Sequence, residues 1–265
     1  MVTGGASAAT FGHTACYKRG MRCFRFAFLT LFLVFLLPAG ASTALWAVAD
    51  RPGSWRAADW GSAALLPSAA DEKDAVIHIM AARTGGLKGA LSVHSWIVTK
   101  RTGADNYDRY DKVGWGNPVR RNAYAADGRW YSNDPFVVKT VRGEQAARLI
   151  PKVEAAIASY PYAARGQYRI WPGPNSNSFV AHVLREVPEI GAVLPPTAVG
   201  RDYLPGGRFF AADADRRDFH ATLFGYAGLS AGLRSGLEVH LLGLVAGIDV
   251  LNPGIKLPGF GRIGL

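Results

Sequence analysis

One long apolar block near the start of the chain gives way to short segments of alternating or helical periodicity. Phe26 to Ala49 reads FAFLTLFLVFLLPAGASTALWAVA, broken only by Thr30, Pro38, Gly40, Ser42 and Thr43. As a helix it is long enough to span a bilayer. Ala75 to Ala82 (AVIHIMAA), Ala90 to Lys100 (ALSVHSWIVTK) and Tyr107 to Trp115 (YDRYDKVGW) read as strands separated by turns. On the second strand His94, Trp96 and Val98 share one pleat face, and Val93, Ser95 and Ile97 share the other. An Asp127-Gly128 turn precedes the aromatic pair Trp130 and Tyr131. Gly143 to Ser159 reads as a helix with Pro151 as a kink or boundary, and Tyr168 to Trp171 as a short strand. The segment WPGPNSNSFVAHVLREV, from Trp171, turns at Pro172, Gly173 and Pro174 and enters a helix whose stripe is Phe179, Val180, Val183, Leu184 and Val187. His182 falls on its polar face. A polar, Gly-rich loop covers 200–218, and Leu237 to Val250 is apolar except for Glu238, His240 and Asp249. That last stretch is too short and too charged to span a membrane. Buried strands with Gly at bends fit it, and so does a surface resting on lipid.

These patterns divide the chain into a disordered basic N-region (1–25), a transmembrane anchor or signal peptide (26–49), a linker (50–74) and an exported globular domain (75–265). Lys18, Arg19, Arg22 and Arg25 precede the apolar block, and the first acid, Asp50, follows it. This asymmetry places the N-terminus in the cytoplasm. Ala47-Val48-Ala49 has the small-x-small pattern of a cleavage site, so anchor and signal peptide both fit. Met21, followed by Arg, Cys, Phe and Arg, is a second candidate start.

Net charge is +10, and those four N-terminal cations leave +6 on the rest, without a Lys/Arg run. Nucleic-acid binding is not expected. The only cysteines are Cys16 and Cys23, so the domain has no thiol nucleophile, no internal disulfide and no Cys metal site. No HExxH pair, P-loop or dinucleotide fingerprint occurs, and neither a metal nor another cofactor is expected. The predicted fold class is α+β, a small antiparallel sheet with packed helices behind one N-terminal transmembrane or signal helix.

The candidate chemistry joins the second strand to the NSNS helix start. Ser176 sits where orphan backbone N–H groups and a positive dipole end gather. The dipole contributes only about 0.3–1 kcal/mol, too little to ionise a hydroxyl, so a base is required. His94 is the candidate base. Asp111 on the following strand is the candidate for orienting its imidazole, with Asp108 behind it. Ser178 is the rival nucleophile. Asn175 and Asn177 offer amides for an oxyanion or cap the helix. Trp96, Trp171 and Trp115 are candidate substrate-contacting surfaces.

Several blocks in order carry a resemblance: HSWIV, VGWG at Val113, RLIPKVEAAIASYPY, YRIWPGPNSNSFVAHVLREVPE, LPPTAVGRDY and LGLVAGIDVLNPGIKLPGFGRIG. Together they resemble one uncharacterised bacterial family, domain-of-unknown-function family 3750. More loosely, the order of His94, Asp111 and the Asn175–Phe179 helix start is similar to permuted NlpC/P60 (papain-like) proteins and their lecithin:retinol acyltransferase-like relatives. In those proteins Cys stands where this chain has Ser176. That resemblance implies a papain-like arrangement and a substrate drawn from peptidoglycan peptides or acyl lipids. The apolar block and its charge asymmetry, in a bacterial chain, lead to the expectation of a bacterial inner-membrane protein with the domain facing the periplasm. The expected function is a serine-dependent hydrolase or acyltransferase of the cell envelope. The alternative is a non-catalytic binding or structural module that keeps the pocket.

Overall fold

The structure is a computed structural model that describes residues 9–249 and 251–264. It is α+β, with two antiparallel sheets. The N-terminal helix runs as α1 (Ala9–Leu31), a π-helical turn at Phe32–Leu36, and α2 (Leu37–Ala47). Its Gly20–Ala47 portion, 28 residues with an 18-residue stretch of mean hydropathy 2.0, is long and apolar enough to cross a membrane. Residues 9–25, expected to be disordered, are helical instead. Once the apolar run has formed its first turns, each added residue gains a hydrogen bond without a new nucleus. The rest of that expected N-region, 1–8, lies outside the described residues.

The first sheet contains β1 (Val76–Arg83), β2 (Val93–Lys100), β3 (Asp108–Lys112), β4 (Val119–Arg121) and β5 (Phe136–Arg142), in the order β4-β3-β2-β1-β5. All neighbouring strands are antiparallel. Two helices cover one face: α3 (Gly143–Ala158) and α4 (Ser176–Glu186). Ile77, Ile79, Ala81, Val93 and Ile97 meet Leu149, Ile150 and Val153 of α3 and Phe179, Val180 and Val183 of α4 in one core. Pro151 lies inside α3 without ending it. The opposite sheet face gives a second core, in which Met80, Ala82, Trp96, Val98 and Val113 pack with Trp130. The alternation read along β2 is thus the division between the two cores.

The expected strand at 168–171 does not form; the chain runs there as irregular backbone, with Arg169 N–H donating to the Pro174 carbonyl and the Ile170 carbonyl accepting from Asn175. The segment 50–74, read as a linker, is tied to the domain. Ser62 Oγ donates to Asp127 Oδ1 at 2.6 Å, and the N–H groups of Leu65 and Leu66 donate to Asp127 Oδ2. The Trp60 ring meets Trp130 edge-on at 5.1 Å.

The second sheet is a seven-stranded meander: β6 (Phe210–Ala212), β7 (Asp218–Leu223), β8 (Ala227–Gly232), β9 (Gly236–Leu241), β10 (Leu244–Asp249), β11 (Gly254–Leu257) and β12 (Gly261–Gly264). Helix α4 lies between the sheets, which is why Ser176 through Arg185 are all buried. His182, expected on a solvated face, is buried with the rest and lies 3.4 Å from Ser159 Oγ.

His78 sits on β1 with Nδ1 2.9 Å from Thr140 Oγ1, while Nε2 is buried without a partner. Burial pushes its pKa down to about 4. A histidine that resists protonation when folded adds stability that is full above the unfolded pKa near 6.5 and is lost as pH falls toward the folded value. Denaturant midpoints should therefore fall between pH 6.5 and about 4, and His78→Val should flatten that fall. Parallel pH profiles for parent and variant would contradict the assignment.

Candidate active site

Strand β2 and the start of α4 are pinned together at the residues that flank the candidate pair. Asn177 Nδ2 donates to the Val93 carbonyl at 2.9 Å, and its Oδ1 accepts from Ser95 Oγ at 2.8 Å. His94 lies between those two strand residues, and Ser176 immediately precedes Asn177. Both His94 and Ser176 consequently line one cavity of about 520 Å³. Its wall also includes Trp115, Trp130, Tyr131, Tyr168, Ile170 and Trp171.

The imidazole is held at one ring nitrogen and on one ring face. His94 Nε2 and Asp111 Oδ1 are 2.9 Å apart, and the ring stacks on Trp130 at 3.6 Å with planes 1° apart. Asp111 is fully buried and receives Arg109 as well, Nε to Oδ2 at 2.8 Å and Nη2 to Oδ1 at 3.0 Å. The Arg109 guanidinium lies over the Trp96 ring at 4.0 Å. Burial raises the Asp111 pKa, but Arg109 and His94 outweigh it, so the net shift is downward and the carboxylate stays ionised. Burial lowers the His94 pKa, and the hydrogen bond it donates to Asp111 only partly restores it. A neutral ring that donates Nε2–H to Asp111 leaves the Nδ1 lone pair for the cavity.

Ser176 is the first residue of α4. The main-chain N–H groups of Ser176 and Asn177 find no main-chain acceptor among the described residues, as expected for a helix start. The Tyr168 hydroxyl lies beside Ser176. Burial pushes that phenol up to about 12, against the Ser176 hydroxyl and N–H, which favour the phenolate. Tyr168 is thus a protonated O–H donor next to the candidate nucleophile. The sequence assigned Tyr168 to a strand and gave it no role.

Other expected site residues have structural work instead. Asn175 is the N-cap: Oδ1 accepts from Ser178 N at 3.0 Å, while Ser178 Oγ accepts from Asn175 N at 2.8 Å. Ser178 also reaches Tyr160 Oη at 3.2 Å, which makes it a capping-box member facing the core. The two Asn175 Nδ2 hydrogens go to the Ile170 and Val199 carbonyls, and Asn177 Nδ2 also reaches Val199. Both amides are committed to main chain, so neither is available for an oxyanion. Gly200 makes this clamp possible. At φ +87° a Cβ there would come within 2.4 Å of Asn175 Nδ2. Trp96 is fully buried, with Nε1 donating to the Ala126 carbonyl, and does not line the cavity. Trp171 and Trp115 do line it. Asp108 pairs with Arg121 away from the cavity.

Comparison with known proteins adds a family and no activity. Residues 74–203 match the family model described as protein of unknown function (DUF3750). This region belongs to that family. No curated protein and no solved structure matches the chain. The DUF3750 region contains His94, Asp111, Tyr168 and Ser176, together with the Val199–Gly200 clamp behind the helix cap.

Proposed function

We propose that the protein is a membrane-tethered, serine-dependent hydrolase or acyltransferase of the cell envelope, with the domain on the periplasmic side of the inner membrane. The observation that carries this reading is the His94 ring, fixed by Asp111 at 2.9 Å on the wall of the cavity that Ser176 also lines. In this mechanism Ser176 Oγ attacks an acyl carbonyl while His94 Nδ1 takes its proton. Ionised Asp111 steadies the imidazolium without taking the proton itself. The carbonyl oxygen becomes an oxyanion facing the Asn177 main-chain N–H and the Tyr168 O–H. The C–O or C–N bond then breaks, the leaving group takes the proton from His94, and the acyl group stays on Ser176. Water or an acceptor hydroxyl or amine then removes it, with His94 acting first as base and then as acid.

The aromatic wall of Trp115, Trp130, Tyr131 and Trp171 suits an acyl chain or the apolar side of a peptidoglycan peptide. Acyl esters and peptidoglycan peptides should therefore be screened with parent and His94→Gln. A general base contributes about 10²–10⁴ in rate, and His94→Gln should lose that much. Equal turnover would remove His94 from the chemistry.

The working form of His94 is neutral, and burial favours that form. The acid limb of kcat/KM should therefore lie below 6.5, the ordinary histidine value, and activity should persist into mildly acid solution. A limb at or above 6.5 would contradict this assignment.

One observation favours the second reading, a binding module. No hydrogen bond joins His94 to Ser176 among the described residues. Catalytic contacts often close only when substrate is bound.

A further inference from the structure

The C-terminal meander wears its polarity inside out. Antiparallel sheets with one wet face normally turn apolar residues inward and polar residues outward. Here His220, Ser230, Glu238, His240 and Lys256 occupy the inward face toward α4, and most of them are buried. Their strand neighbours Phe219, Leu229, Leu237, Val239, Ile255 and Ile263 point the other way and are exposed. Outward-apolar, inward-polar alternation is the pattern of strands that face lipid.

The N-terminal helix indicates what covers this face. Its stripe Phe35, Ala39 and Ser42 is buried; Ser42 Oγ donates to the Ala90 carbonyl at 2.7 Å, and Trp46 Nε1 donates to the Gly86 carbonyl at 2.9 Å. The turn Phe32–Leu36 packs on β10, and Ala246, a position on the outward face of that strand, is buried. The helix therefore lies on the same side as the exposed apolar positions. At a rise of 1.5 Å per residue from Arg25, the last cation, Phe35 lies about 15 Å deep, half of a ~30 Å hydrocarbon core. Trp46, at about 31 Å, reaches the far interface. A helix that crosses the bilayer in this way holds the part of β10 it touches near the bilayer midplane, from which the sheet extends through the outer leaflet. A six-residue strand is about 20 Å long, comparable with one leaflet and its headgroups. The edge strands β6 and β12 have only three and four residues, which limits the unpaired backbone presented to lipid.

We propose that the outward face of the β6–β12 meander is immersed in the outer leaflet beside the N-terminal helix, with lipid acyl chains as its occupant. The protein then holds the bilayer through two elements, a helix and a sheet, far apart in sequence. The proposal does not depend on catalysis by Ser176.

The test uses the full chain with Cys16→Ser and Cys23→Ser, reconstituted in phosphatidylethanolamine/phosphatidylglycerol vesicles. Single cysteines replace Leu229, Val239 or Ile255, and Thr102 in an exposed loop of the first sheet serves as control. Each is labelled with a nitrobenzoxadiazole fluorophore. The proposal expects blue-shifted emission at the three sheet positions, strong quenching by nitroxide on lipid acyl chains, and loss of the iodide quenching seen at Thr102. Iodide quenching equal to that at Thr102 would overturn it. Shielding from both quenchers would also overturn it, because a second copy of the chain would then cover the face.

Discussion

Asp111→Ala should destabilise the protein by about 3–5 kcal/mol and abolish any turnover, because it leaves Arg109 charged and unpaired in the interior. Arg109 is 1% exposed, and both oxygens of its partner belong to the network it shares with His94. Its remaining acceptors are the Ala125 and Gly128 carbonyls, which cannot balance its charge. Asp111→Asn separates the two roles. The amide nearly keeps the shape, so folding should suffer less, but His94 loses the anion that steadies its imidazolium. Where an acid orients a catalytic histidine, such a change lowers kcat by up to about 10⁴. Denaturant titration with an unchanged m-value measures the first effect, and steady-state rates of Asp111→Asn measure the second. An Asp111→Ala protein as stable as the parent would mean that water reaches Arg109.

Glu238→Ala should be comparably damaging, for a reason located in the second sheet. Glu238 Oε2 accepts from Arg201 Nη2 at 2.7 Å, and Oε1 accepts from Lys256 Nζ. His240 Nε2 lies 3.3 Å from Oε2. Arg201, Lys256 and His240 are all buried, and Arg201 and Lys256 hold Glu238 ionised well below the usual carboxylate range despite its burial. Removing the carboxylate leaves two cations under the meander, with an expected loss of about 3–5 kcal/mol. Glu238→Gln, which keeps acceptor capacity on one side, should lose less. Chemical denaturation in detergent or vesicles compares the three proteins. A loss below about 1 kcal/mol for Glu238→Ala would show that the cluster is hydrated rather than closed over by the sheet.

The two sites were not equally legible from residue order. The alternation of β2 separated His94 and Trp96 from Val93 and Ile97, and the NSNS-Phe pattern marked the start of α4. Both are local signals, and they agree with His94 on β2 and Ser176 at the start of α4; Asp111 enters only as an acid on the following strand, and no local signal fixes its register. The sequence leaves Asn175 and Asn177 between oxyanion donor and helix cap; what decides between them is largely Val93 and Val199, partners distant in sequence that no local pattern reveals. Tyr168 was lost for a related reason. Tyr168–Trp171 has the composition of a strand, but among the described residues it pairs with no strand; Pro174 and Asn175 just downstream hold it instead. Trp96 shows the limit of face assignment. It shares a pleat face with His94, yet it is buried in the second core with Trp130, under the Arg109 guanidinium, and does not line the cavity. In the meander the period-two pattern was present but its sense was not. Alternation says which residues share a face and not which face meets protein, water or lipid. Only the buried Glu238, His240 and Lys256 reveal that the apolar side points outward.

The central claim is that Ser176 is a nucleophile activated by His94. The most direct measurement is the site of covalent attachment after treating the folded full chain with a serine-reactive fluorophosphonate, located by peptide mass spectrometry. The mechanism predicts one adduct, on Ser176, formed by the parent and by Ser178→Ala, sharply slowed in His94→Gln and absent from Ser176→Ala. An unmodified Ser176 in folded parent protein, or equal labelling of parent and Ser176→Ala, would contradict it and leave the cavity as a binding site.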